Sequence, residues 1–141
     1  MKSRQKLSGV KAVTQKHGYG CAVSCVAFRI SKSYSHAHKL YLKKDLAWLR
    51  GYYLKEVTQA LAKANFHYEY RKYKSKYKEL LKQEGTIVFI NPNKKYPSGH
   101  YLIRTSKGWM NSWINCPMIS PVKSGFQRKL PGEVQFVLFE K

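Results

Sequence analysis

Helical spacing fills the first half of this chain and strand spacing the second, and that order constrains the fold more than any other feature. Cys21 to Ile30 is apolar at almost every position, which predicts a helix buried on all sides. Leu54, Val57, Leu61 and Ala64 recur at spacings of three and four, predicting a one-faced helix from about Tyr52 to Ala64. Residues Ser31 to Leu40 read as a polar connection between the two. Beyond them, Phe66 to Tyr70 alternates as a strand does, and Tyr73, Tyr77, Leu80 and Leu81 return to helical spacing, closed by Gly85. Thr86 to Ile90 is a strand stopped by Asn91-Pro92-Asn93. Gly99 to Arg104 and Trp109 to Asn115 read as a hairpin turning at Lys107-Gly108, and Glu133 to Glu140 as a last strand. Helices followed by strands predict an α+β fold with an antiparallel sheet.

At 141 residues, 43% of them apolar, the chain has material for one core and not for two ordinary domains. A single domain over residues 1–141 is expected, with residues 1–14 as a flexible basic arm. No apolar run approaches the ~20 residues of a membrane span, and residues 1–13 lack the apolar centre of a signal peptide. The three cysteines, Cys21, Cys25 and Cys116, are too few for a disulfide scaffold and fit a reducing compartment. A cytoplasmic monomer is therefore expected; delivery into another cell, as a toxin or phage effector, is compatible with the small size and basicity.

Charge excludes some chemistry. Lys and Arg number 27 against 7 Asp and Glu, a net charge of +20. Asp45 is the only aspartate, and the glutamates are scattered, so a two-metal nuclease or an aspartic dyad has no ligand set. The positive charge runs the length of the chain and attracts polyanions. Its densest segment is Arg71 to Lys82. On an α-helix, Lys74, Lys78 and Lys82 would form a stripe opposite Tyr73, Tyr77 and Leu81, and with Arg71 this is the candidate nucleic-acid surface. A solvated face over tyrosines in the core is the simpler reading of the same residues.

One constellation fits nucleophilic catalysis. A reactive thiol belongs at a helix N-terminus, where free N–H groups and the helix dipole favour the thiolate. Cys21 opens the apolar helix directly after Gly18-Tyr19-Gly20. It also needs a base and a polar group to orient that base. His100 follows Gly99 at the start of a strand, and Asn111 lies on the next. With a Lys107-Gly108 turn, facing positions sum to 215, and His100 and Asn111 share a side of the hairpin. His17, Cys21 and Cys25 have metal-like spacing but no fourth ligand, so no metal or cofactor is expected. His36 and His38 read as solvated loop residues, and Cys25 and Cys116 as packing residues.

These residues together resemble the papain-like cysteine peptidases. Gln15, then Cys21 six residues on, then Cys25-Val26-Ala27-Phe28, resembles that family's nucleophile segment; Gly99-His100 resembles its base, and Asn111-Ser112-Trp113 its orienting asparagine and shielding tryptophan. The Cys-x-x-x-Cys helix start is closer to the bacterial branch that removes double-glycine leaders from bacteriocins. The resemblance implies a papain-like fold and a peptidase needing no cofactor. It makes Cys21 the nucleophile, His100 the base, Asn111 the orienting group and Gln15 an oxyanion donor, with Gly20 and Trp113 beside a peptide or protein substrate. Deamidation and transglutamination use the same groups. Gln15 lies ten residues from Cys25, and a Cys25 nucleophile would put Tyr19 at the oxyanion position, which favours Cys21. The short interval from His100 to Asn111 leaves Asn115 as a second candidate for the third member. A lowered Cys21 pKa, as in an ion pair with His100, is expected. The rival is a basic RNA-binding or RNA-acting protein on the same fold.

Overall fold

The computed structural model describes residues 11–141. Its first helix is α1, Cys21–Ile30, and every residue from Ala22 to Ile30 is buried. The all-apolar stretch makes this unavoidable, because a helix with no polar face must be covered all round. Gly20 caps it at the N-terminus, where a Cβ would run into the Tyr34 hydroxyl. Ser31 ends it in the left-handed region, φ 58°, with its N–H turned back to Phe28 O. Arg29 is the one cation on α1, and it is held by Glu140 Oε1 at 2.6 Å and by the Tyr68 hydroxyl at 2.8 Å. That pair ties the helix to both strands at one edge of the sheet.

Two short helices follow, α2 (Tyr34–His38) and α3 (Leu46–Leu49), then α4 (Leu54–Lys63). The segment read as a polar connection thus carries α2, whose Tyr34 and Ala37 plug into the core while Ser35 and His36 face outward. α4 is capped by Tyr53, whose N–H donates to Glu56 Oε1 at 2.7 Å; it buries Val57 and Leu61 as its spacing predicts, and Ala60 as well, while Leu54 and Ala64 are half-buried.

Six strands make one antiparallel sheet: β1 (Tyr68–Lys72), β2 (Ile87–Ile90), β3 (His100–Thr105), β4 (Gly108–Asn111), β5 (Gly125–Gln127) and β6 (Val134–Glu140), in the order β1-β6-β2-β3-β4-β5. The α+β class and the antiparallel sheet are as expected; β5 and α3, three and four residues long, were too short to leave a periodic signal. Alternation along the strands builds two cores. Ile87, Tyr101, Ile103, Met110 and Leu138 face the helices, whereas Val88, Ile90, Leu102, Trp109 and Val137 face away. The second face is covered by Tyr73, Tyr77, Leu80 and Leu81.

Two expectations need correction. The β3–β4 hairpin pairs Thr105 with Gly108 and Ile103 with Met110, so facing positions sum to 213 and the turn is Ser106-Lys107. The slip is of two residues, not one, so His100 and Asn111 still share a face. The Arg71–Lys82 segment contains a 3₁₀ stretch, Ser75–Lys82, in place of an α-helix. At 3 residues per turn, positions four apart point about 120° apart, so Lys74, Lys78 and Lys82 do not form a stripe. Of the segment taken as an arm, residues 1–10 lie outside the described residues. Ala12 and Val13 pack on the first core, and Thr14 Oγ1 lies 2.7 Å from Ser124 Oγ. Among the described residues, no helix is long and apolar enough to cross a membrane.

Gly99 aims the start of β3. Its φ of +78° is open to glycine, and a Cβ there would collide with the Phe89 ring and crowd Ile90 O. Gly99→Ala is expected to lower stability by about 2 kcal/mol or more, read as a lower urea midpoint at unchanged slope. A midpoint equal to the parent's would show that the turn does not need glycine.

Candidate active site

The site lies where the two cores meet, at the end of the sheet where β3 begins. Cys21 reaches it from the N-terminus of α1. Its Sγ accepts from the Tyr101 backbone N–H at 3.5 Å, and the N–H groups of Ala22 and Cys21 itself also favour the thiolate. The sulfur is therefore set against the residue next to His100 in the chain. Cys21 and His100 line one cavity of about 470 Å³, together with Gln15 and Trp113. No hydrogen bond joins Cys21 to His100 among the described residues. In known enzymes with such a pair the base–nucleophile hydrogen bond is often long until substrate binds.

His100 is oriented by a fully assigned network. The Asn111 amide Nδ2 donates to the Tyr96 hydroxyl at 2.9 Å and to Gln127 Oε1 at 2.7 Å. Both its protons are used, so Oδ1 is the acceptor, and it takes the Trp113 N–H at 2.9 Å and His100 Nε2 at 2.8 Å. This orientation puts the imidazole proton on Nε2 and leaves Nδ1 as the basic nitrogen. The Tyr96 hydroxyl in turn donates to Trp113 O at 2.8 Å, and its ring lies flat on the imidazole, 4.0 Å between centroids and 11° between planes. Asn111 is fully buried and His100 nearly so.

The structure keeps Asn111 and changes other assignments. Asn111, not Asn115, holds the histidine: the Asn115 side chain is spent on Pro121 O and the Lys123 N–H. The ring over His100 belongs to Tyr96, not Trp113, whose indole N–H goes to Met118 O. Gly20 does not line the cavity; it backs onto Tyr34. Gln15 is buried with its side chain committed: Nε2 donates to His17 O at 2.9 Å and Gly18 O at 3.2 Å, and Oε1 accepts from Ser112 Oγ at 2.7 Å. It thus binds the loop before Cys21 to the residue after Asn111. Tyr96, Gln127 and Ser112 were not read from the sequence. They act by contact across the fold; Tyr96 and Gln127 sit in no motif, and only the place of Ser112 within Asn111-Ser112-Trp113 offers a signal.

Burial sets the charge state. It pushes the Cys21 thiol up to about 11, against the opposing pull of the three backbone N–H groups. It pushes His100 down to about 4, and nearby Lys95 acts in the same direction while Asn111 opposes. The expected thiolate–imidazolium pair is replaced by a neutral thiol and a neutral imidazole across the range between these values.

The remaining candidates do not gather. Cys25 is buried in the first core, and Cys116 Sγ donates to Lys95 O at 3.3 Å. No cluster of three or more His, Cys, Asp or Glu able to hold a metal occurs among the described residues. His38 is half-buried, bonded to Lys44 O and in ring contact with His17 and Trp48, rather than solvated. In the basic segment Arg71 pairs with Glu69 and Lys82 with Glu79, and the half-buried Tyr77 packs on Phe139. Neither the known family models nor the curated proteins include a match to this chain.

Tyr96→Phe keeps the stacked ring and removes the hydroxyl between Asn111 and Trp113. The expected loss is about 1–3 kcal/mol for the two buried groups left unpaired. In ¹⁵N NMR spectra, His100 should be neutral above about pH 4 with its proton on Nε2, and the variant should mix the two tautomers. An Nδ1-protonated His100 in the parent would overturn the assigned network.

Proposed function

We propose that the chain is a papain-like cysteine hydrolase that cleaves an amide bond of a peptide or protein. The observation that carries this reading is the shared cavity of Cys21, at the start of a buried helix, and His100, locked by Asn111 with Nδ1 left free. Position, tautomer and orienting partner are what a thiol–imidazole pair requires.

The reaction starts from neutral groups. Cys21 Sγ attacks the carbonyl carbon as its proton passes to His100 Nδ1. Asn111 Oδ1 stabilises the imidazolium that forms, and Tyr96 keeps the ring in plane. The negative charge on the carbonyl oxygen falls to the Cys21 backbone N–H, while Gln15 keeps both its N–H groups on the loop before Cys21. Nδ1–H then protonates the leaving amine as the C–N bond breaks. Water, deprotonated by the same nitrogen, opens the thioester and restores the thiol. An amine in place of that water would make the reaction a transamidation, and a glutamine side chain as substrate a deamidation. The cavity needs no metal or cofactor for any of these steps.

A p-nitrophenyl ester tests this without knowledge of the natural substrate. The parent should release about one equivalent of nitrophenolate in a burst as Cys21 is acylated. The burst should vanish in Cys21→Ala and slow by ~100-fold or more in His100→Ala, the usual contribution of a general base. An equal burst from Cys21→Ala would contradict the proposal.

A further inference from the structure

The cavity has a chemical bias that its catalytic groups do not explain. Its walls are largely aromatic: Tyr19, Tyr52, Tyr53, Phe89, Tyr96 and Trp113. Two cations stand at it, Arg50 and Lys95, and no carboxylate lines it. Their situations differ. Arg50 is bound in a fork by Glu56, at 3.0 and 3.1 Å, and lies over the Tyr53 ring. Its charge is answered. Lys95 makes no ion pair among the described residues. Its Nζ donates to Ile114 O at 3.0 Å and stands 5.6 Å from the centroid of Tyr96, the ring stacked on His100. An ammonium anchored by one carbonyl has two N–H groups left for a ligand.

We infer that Lys95 is an anion-recognising residue of the cavity, and that the substrate is a peptide carrying a glutamate or aspartate side chain close to the scissile amide. This rests on the hydrolase reading, which places that amide at Cys21. Lys95 and His100 both lie against the Tyr96 ring in one cavity, so a carboxylate on Lys95 is held on the side of the cavity that carries the base, with its residue among the aromatic walls. The anchor at Ile114 O restricts the side chain, which reduces the ordering cost that makes most exposed ion pairs weak. The charge of +20 over the chain draws acidic peptides toward the same cleft.

Protection of Cys21 tests the inference without requiring turnover. Iodoacetamide labelling of Cys21 is followed by peptide mass mapping, at low salt, with added acetyl-Phe-Glu-Phe-amide, acetyl-Phe-Gln-Phe-amide or acetyl-Phe-Lys-Phe-amide. The glutamate peptide should give half-protection at a concentration about fivefold below that of the glutamine peptide, the upper range for one partly exposed pair. Lys95→Gln should abolish the difference, and Lys95→Glu should make the lysine peptide the best protector. Equal protection by all three peptides, or the same order in Lys95→Glu as in the parent, would overturn the assignment. So would a uridine oligonucleotide that protects better per charge than the glutamate peptide, which would give the cation to nucleic acid. If the charge preference holds and the ester burst does not depend on Cys21, the hydrolase reading fails and the anion site stands. If the burst depends on Cys21 and the preference is absent, Lys95 alone is misassigned.

Discussion

The structure depends on the burial of α1. A helix without a polar face must be enclosed, and each fully buried Val, Phe or Ile on it is worth about 1.5–3 kcal/mol against a total stability of about 5–15 kcal/mol. α2, α4 and the inner face of the sheet provide the enclosure, with Val23, Val26 and Phe28 at its centre. The helix can meet the cavity only at its end. Gly20 allows the close approach of Tyr34 there, and Cys21, the first helical residue, is half-buried where the rest of α1 is fully covered.

The same burial sets the chemistry. A helix N-terminus in water would favour a thiolate. At the floor of an aromatic cavity desolvation outweighs it, and the charged forms of both Cys21 and His100 are disfavoured. In the proposed hydrolysis a neutral pair serves, provided that the proton moves during attack. That places the demand on His100: the correct nitrogen must be bare and the ring must not turn. Asn111, Tyr96 and Gln127 meet this demand from a loop and two strands, and Gln15 with Ser112 ties the nucleophile's loop to the same strand end. The orienting network and the loop before Cys21 are thereby joined by hydrogen bonds.

Periodicity made α1, α4, β2, β3 and β6 legible, because each buries a face long enough to repeat. It failed where geometry departs from the two standard periods. Tyr73 to Leu81 has α-helical spacing, yet Ser75–Lys82 winds as a 3₁₀ stretch, with the apolar residues drawn onto the second core and the lysines left pointing apart. The hairpin turn was misplaced by one residue, which moved the register by two and spared the parity on which the His100–Asn111 pairing depends. The candidate site divides the same way. Cys21, His100 and Asn111 stand out in the sequence because element type and position distinguish them. Tyr96 leaves no trace, since its role arises from stacking across a loop that only the folded chain closes. The charge state of the pair was misjudged for the same reason: desolvation belongs to the enclosing residues, not to Cys21 or His100.

The central claim is that Cys21 and His100 act as one proton-sharing pair, and the most direct measurement is the rate of Cys21 alkylation from pH 3 to 11 in the parent and in His100→Ala. In the parent, His100 takes the thiol proton during attack once it is itself neutral, so the rate should rise through about pH 4 to a plateau, then rise again as the thiol ionises toward about 11. His100→Ala should lose the lower limb and keep only the upper one, with circular dichroism showing an intact fold. Superimposable profiles for the two proteins would contradict the account.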